Sequence, residues 1–367
     1  MGALTGLRVV EFAGIGPGPH CAMMLADHGA EVVRIDREGG NGWPNPIMDR
    51  GRSTITLDIR TDSGRAAALD RCDRADVVIE GFRPGVMERL GLGPEVLLAR
   101  NPALVYGRVT GWGQDGPLAR RAGHDINYIA LTGALDAIGE PGRRAVPPLN
   151  LVGDFGGGSM YLAFGILAAL WERERSGQGQ VVDAAIVDGV SHLMTMFTGL
   201  LPSGRISLDR AHNMLGGSAA FYRTYLCADG REIAVGAIEP AFWSQMLDIL
   251  GLADAGVSQR QQDRSKTIEL LEKAFLTAPR DHWMRLFRDT DTCVSPVLSA
   301  EEAARDDHLV ARHTFISRDN LLQAAPAPRL SRTPAASTAV CTGCWCLRRE
   351  RARRTHDGPV SWETGLL

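Results

Sequence analysis

The strongest constraint on the fold is an alternation in the first third of the chain. Short runs dense in Val and Ile at 7–12, 30–36, 53–59, 75–81 and 103–111 alternate with helix-periodic stretches at 18–29 and 61–74. Near-continuous β-branched residues suit strands covered on both faces, and helical connections between such strands predict a parallel sheet in an α/β fold. A long helix is predicted over 154–175, ended by "SGQGQ". A stretch containing Gly and Ser follows at 199–220, then a hairpin pattern around "ADG" at 228–230 and further helices. The reading is a large α/β unit over 1–185, a connector over 186–220 and a smaller α+β unit over 221–314. At 367 residues the chain is long enough for two cores.

Charge and composition remove several function classes. A net charge of -3 argues against a dedicated nucleic-acid binder. The apolar run 160–171 is short for a bilayer and suits a buried helix. The N-terminus has no basic flank or cleavage-type segment, and Cys21, Cys72, Cys227 and Cys293 are dispersed in apolar contexts. Both features suit a cytoplasmic protein with reduced thiols. Cys341, Cys344 and Cys346 in "CTGCWC" resemble half of a zinc site, but no second pair answers them and His356 alone does not complete it. No metal is expected. The same segment carries Arg348, Arg349, Arg351, Arg353 and Arg354 without apolar periodicity, which fits either a solvated basic tail or a reading-frame slip in the gene.

Two helix starts are chemically interesting. "GIGPGP" at 14–19 follows the first strand, but Pro17 and Pro19 lack the N–H groups that a pyrophosphate needs, so a dinucleotide site is disfavoured. In "NLVGDFGGGSM", Asp154 precedes three glycines at the head of the long helix. Aspartate caps helices well, yet the glycines weaken a helix and imply close approach to this backbone. Free N–H groups there suit developing negative charge, such as an enolate oxygen. His124 in "AGHDINY" heads another apolar helix. A histidine and an aspartate at the strand ends of an α/β sheet can share removal and return of a proton on opposite faces of one carbon. A capping Asp154 with a structural His124 explains the same residues. Met194, Met196 and Met214 near the connector fit an adaptable acyl surface or simple core filling.

With these stretches on the page, the chain resembles the family III CoA-transferase superfamily, and within it the racemases of 2-methylacyl-CoA thioesters. The match runs from "GLRVVEFAGIGPGPHCAMMLADHGAEVVRIDR" through "GHDINY" and "NLVGDFGGGSM" to "DTCVSPVL", covering most of the chain to about 334. The resemblance implies the family III fold, with a Rossmann-like large domain, a C-terminal segment (about 315–367) that returns to it, and an interlocked homodimer. It implies 1,1-proton transfer at C2 through an enolate, with His124 and Asp154 as the proton-handling pair. Glu239 would support His124 across the subunit boundary, and the backbone N–H of Asp154 would hold the thioester oxygen. No cofactor is implied beyond the CoA moiety of the substrate. The CoA contacts implied by position are Arg37, then Leu57, Asp58, Ile59 and Arg60, then Gly81, Phe82, Arg83 and Arg89, and finally Gly123, Asp125, Ile126, Asn127 and Tyr128. Two departures stand out: "NMLGGSAA" puts Gly216 and Ala220 where the family has aspartate and proline, and the tail beyond Pro334 is unlike the family's. The rival reactions are CoA transfer with Asp154 as nucleophile, and simple acyl-CoA binding without catalysis.

Overall fold

In a computed structural model, residues 2–318 and 320–335 are described. Cys341, Cys344, Cys346, His356 and the arginine cluster lie outside them. Six strands form one sheet: β1 (Arg8–Phe12), β2 (Glu31–Asp36), β3 (Arg52–Thr56), β4 (Val77–Glu80), β5 (Val105–Thr110) and β6 (Val181–Ala185). All neighbours are parallel, in the order β3-β2-β1-β4-β5-β6. The period-2 side-chain rule divides this sheet between two cores. Val9, Val77, Ile79, Val105 and Val109 face the helices Pro17–Asp27 and Met160–Ser176. Val10, Phe12, Val78 and Tyr106 face Asp62–Cys72 and Pro94–Arg100. Covering both faces is why the strands read as unbroken apolar runs rather than alternating ones.

Several carboxylates are nevertheless buried in this layer. Glu11, fully buried on β1, pairs with Arg52 on β3, and Arg34 on β2 pairs with Asp36 and Asp49. Burial pushes the Glu11 carboxyl upward, against the pull of Arg52. A second group joins β4 to β5: Arg108 donates from Nε to Glu80 Oε1 at 2.9 Å, and its Nη2 lies 2.9 Å from Glu88.

The run Leu151–Ser176 is long and apolar enough to cross a bilayer, with a mean hydropathy of 1.3. It packs instead on the sheet, with Leu162 and Ile166 against Gly107 of β5, where an added Cβ would come within 3.0 Å of Leu162. Its opposite side leaves Met160, Phe164, Leu167 and Trp171 exposed.

The second core lies on a three-stranded antiparallel sheet, β7 (Arg223–Leu226), β8 (Glu232–Val235) and β9 (Val294–Pro296), in that order. Its first turn closes with the Cys227 N–H donating to the Arg231 carbonyl at 2.8 Å and Gly230 at a φ of 74°. Trp243, Phe275, Trp283 and Phe287 fill the space between this sheet and three helices, Pro240–Leu250, Arg264–Phe275 and Arg280–Phe287. A last hairpin, β10 (Phe315–Arg318) with β11 (Leu321–Ala324), lies beside the large sheet's helices. There Arg50 donates to Gln323 Oε1 at 2.9 Å and to the Ala324 carbonyl at 3.0 Å.

Three features differ from the sequence reading. β6 and β9 were hidden, because Val181–Ala185 and Val294–Pro296 are short and half-exposed. Residues 186–193, read as part of the connector, form a helix with buried Ile186 and Val190. The expected uninterrupted helix at Asp154 begins as a π-helical segment, Leu151–Ser159.

Candidate active site

The sheet order reverses direction between β1 and β4. Ligands of open α/β sheets bind in the crevice at such a switch point, outside the carboxyl ends of the strands. A cavity of about 1100 Å³ opens there, bounded by Phe12–Ile15 after β1, Asp36 and Arg37 after β2, Glu80–Pro84 after β4 and Val109–Trp112 after β5. "GIGPGP" turns into its helix at one edge, with Gly16 at a φ of 69°.

His124 and Asp154 both line this cavity. His124 is the N-cap of the helix Asp125–Leu131, and its own N–H donates to Asn127 Oδ1 at 3.0 Å. Its imidazole is exposed. Asp154 sits in the π-helical segment, where wider i→i+5 bonding begins with the Phe155 N–H donating to the Asn150 carbonyl at 3.2 Å. Its carboxylate accepts a weak bond from Asn150 Nδ2 at 3.3 Å and approaches the Gly16 backbone so closely that a Cβ there would lie 3.0 Å from Oδ2. Burial raises the Asp154 carboxyl above the ordinary range; Asn150 opposes the rise, the Asp125 charge adds to it, and the His124 charge opposes it. A charge at His124 that bears on the Asp154 carboxyl suits a proton-handling pair.

The glycines around Asp154 each have a neighbour. A Cβ on Gly157 would lie 2.6 Å from Val190, one on Gly158 3.0 Å from Pro17, and one on Gly189 1.9 Å from the Gly157 carbonyl. They let the π-helical segment lie against Ile186–Leu193 and the start of Pro17–Asp27, so what comes close to them is neighbouring protein, side chain and backbone alike. Gly153 is different, since its Cβ would fall 2.2 Å from Asp125 Oδ2. That carboxylate accepts the Asp154 N–H at 2.7 Å. The Asp154 amide, expected to hold the thioester oxygen, is therefore occupied by a side chain. Sequence reading missed this because the partner lies 29 residues away.

Of the expected CoA contacts, Arg37, Leu57, Asp58, Ile59, Arg60, Gly81, Phe82, Arg83, Arg89, Gly123, Asp125 and Tyr128 line the cavity. Ile126 and Asn127 do not; Ile126 is exposed elsewhere, and Asn127 faces a shallower hollow while capping the helix through His124. Asn150, Trp112 and Arg121 also line the cavity and were not anticipated. The arginines differ in availability. Arg60 is held by Asp58 at 2.8 and 2.9 Å, and Arg37 donates from Nε to the Gly40 carbonyl at 2.8 Å. Arg83, Arg89 and Arg121 have no carboxylate partner among the described residues. Glu80 shapes the Arg83 loop by accepting the Phe82 N–H at 2.7 Å. Tyr128 closes the His124 end, donating to the Gly123 carbonyl and meeting Trp112 edge-on at 4.7 Å. Glu239 lies apart from this cavity: it is exposed at the N-cap of Pro240–Leu250. Among the described residues no three His, Cys, Asp or Glu side chains cluster to hold a metal.

The fold is similar to that of a CaiB/BaiF family protein from Brucella suis. That structure superposes with a TM-score of 0.81 at 28% identity, covering 91% of this chain and 94% of its own. The profile of CoA-transferase family III matches residues 4–340, and the chain belongs to that family. Within it, the chain is 46% identical over 340 residues to the alpha-methylacyl-CoA racemase of Mus musculus, covering 92% of this chain and 88% of the mouse protein. The human alpha-methylacyl-CoA racemase is 44% identical over 339 residues, covering 91% and 88%. A succinyl-CoA–D-citramalate CoA-transferase of Chloroflexus aurantiacus is 31% identical over 360 residues, covering 90% and 88%.

Proposed function

We propose that the protein is an isomerase that interconverts 2R- and 2S-2-methylacyl-CoA thioesters by moving the C2 proton. The observation that carries this reading is the meeting of His124 and Asp154 at one cavity, from two different helix starts. In one direction the Asp154 carboxylate takes the C2 proton while the His124 imidazolium delivers one to the opposite face. In the other direction the neutral imidazole takes it and the Asp154 carboxylic acid returns one. The two working forms hold the same number of protons, so each turnover leaves the enzyme ready for the reverse reaction. Burial favours this sharing by raising the Asp154 carboxyl toward the range in which histidine titrates.

Proton removal places negative charge on the thioester oxygen, which needs a donor. With the Asp154 amide engaged by Asp125, the first free amide beside His124 is that of Asp125, at the start of its helix on the cavity lining. It replaces the donor expected from sequence. The CoA moiety supplies binding energy at the far end, where Arg83, Arg89 and Arg121 offer unpaired guanidinium groups to phosphates. No cofactor enters this scheme apart from the CoA of the substrate.

Glu239 enters through a second copy. Exposed and away from the cavity of its own chain, it would reach His124 only from the small unit of a partner in a homodimer. The exposed stripe Met160, Phe164, Leu167 and Trp171 supports such an assembly, because contiguous apolar surface of this kind marks interfaces. Incubating one 2-methylacyl-CoA epimer in D2O tests the reading. Inversion with deuterium at C2 is expected; CoA passing to an added free acid without exchange selects the transferase instead.

A further inference from the structure

Asp125 is a titratable group at the site to which the proton-transfer scheme gives no proton. Its carboxylate reaches back from the helix Asp125–Leu131 to the π-helical segment and accepts the Asp154 N–H at 2.7 Å. Gly153 has no side chain where a Cβ would collide with that carboxylate at 2.2 Å. A helix whose first turn is π-wound leaves amides without their usual acceptors, and this carboxylate fills that deficit. The same carboxylate lies next to the acid it holds in place. We infer that Asp125 is a positioning residue: its side chain fixes the peptide of Asp154 and sets a second carboxylate beside it. That like charge opposes ionisation of the Asp154 carboxyl. This inference rests on the reading of Asp154 as a proton-transfer group.

The other groups around Asp154 define what the test must separate. His124 bears on it from the opposite sign, Asn150 donates to it from its own segment, and Tyr128 lies near enough for its phenol to feel the Asp154 charge. Pro17–Asp27 presents His20, which stacks on Phe155 at 4.6 Å and bonds Ser159 through Nδ1 at 2.6 Å. Ile186–Leu193 presents Ile186 and Val190, and the Gly16 loop presents backbone. Asp125 is thus the like charge that bears on Asp154, and burial of Asp154 acts in the same direction.

The test is the pH profile of kcat/KM for epimerisation in Asp125→Asn and Asp125→Ala. Asparagine retains an oxygen that can accept the Asp154 amide but carries no charge. With it, the acid limb of the bell is expected to move down by about 1 pH unit, and the plateau to fall by less than that of Asp125→Ala. Alanine removes oxygen and charge together, and its plateau is expected to fall by roughly 10- to 100-fold. An acid limb unmoved in Asp125→Asn, or an alanine variant equal to wild type, overturns the inference. If the asparagine variant is not recovered folded, Asp125→Ser, which keeps an acceptor oxygen in the first helical turn, is read by the same criterion. Asp154→Asn, measured alongside, separates the two levels: its retention of full inversion would remove the proton-transfer reading itself. Loss of inversion in Asp154→Asn with an unmoved limb in Asp125→Asn would remove the positioning role alone.

Discussion

Replacing Gly153 with alanine sets two effects of opposite sign against each other. Alanine in place of glycine within a helix is ordinarily stabilising by about 1 kcal/mol. Here the new methyl would stand 2.2 Å from Asp125 Oδ2, about 1 Å inside normal contact. The carboxylate can yield only by lengthening its bond to the Asp154 amide, and a charge-assisted bond of this kind contributes roughly 1.5–3 kcal/mol. Repulsion therefore wins, and Gly153→Ala should lower stability by about 1–3 kcal/mol despite the better helix former. A displacement of order 1 Å at a proton-transfer group costs about 100-fold in rate. The loss should fall on kcat, because in the proposed scheme Arg83 and Arg89, which line the far part of the cavity, hold the other end of the substrate. Thermal unfolding and steady-state epimerisation on purified protein measure both quantities. A variant with a raised Tm and unchanged kcat would refute the reasoning, since it would show that the carboxylate moves aside at no cost.

Other perturbations address different parts of the structure. Arg89→Met should raise KM for the CoA thioester about 10- to 100-fold with little change in kcat, and leave an N-acetylcysteamine thioester unaffected, as kinetics on the two substrates will report. Arg52→Met strands the fully buried Glu11 carboxylate and should destabilise the fold by about 3–5 kcal/mol, read from urea denaturation. The Asp154 carboxyl is raised in the folded state, so the fold binds this proton more tightly than the unfolded chain does. Its stabilising contribution is complete at low pH and lost as pH rises from about 4 through the folded value. Asp154→Asn should accordingly raise Tm at pH 8 and leave it unchanged near pH 3, by calorimetry at both pH values.

What could be read from sequence follows the range of the interactions involved. β1, β2, β4 and β5 are legible because burial on both faces forces consecutive Val and Ile, a local signature. β6 is nearly invisible, since Val181 and Asp183 are exposed at the sheet edge and nothing local demands apolar residues there. His124 and Asp154 stand out because each heads a helix, and the glycines after Asp154 signal close packing. What packs against those glycines, Pro17 and Val190, is a tertiary fact. The Asp125 carboxylate is the instructive omission. Read along the chain it is an ordinary first-turn acid, and only the folded structure brings it to the Asp154 amide.

The proposed placement of His124 and Asp154 on opposite faces of C2 makes a distinctive prediction for single-site variants. With one base removed, the remaining base can still exchange the hydrogen that points toward it, but no proton arrives on the other face. In D2O, His124→Ala is therefore expected to wash deuterium into one epimer without inverting it, and Asp154→Asn to do the same with the other epimer only. Exchange of both epimers by the same variant, or unimpaired inversion by either, would contradict the account.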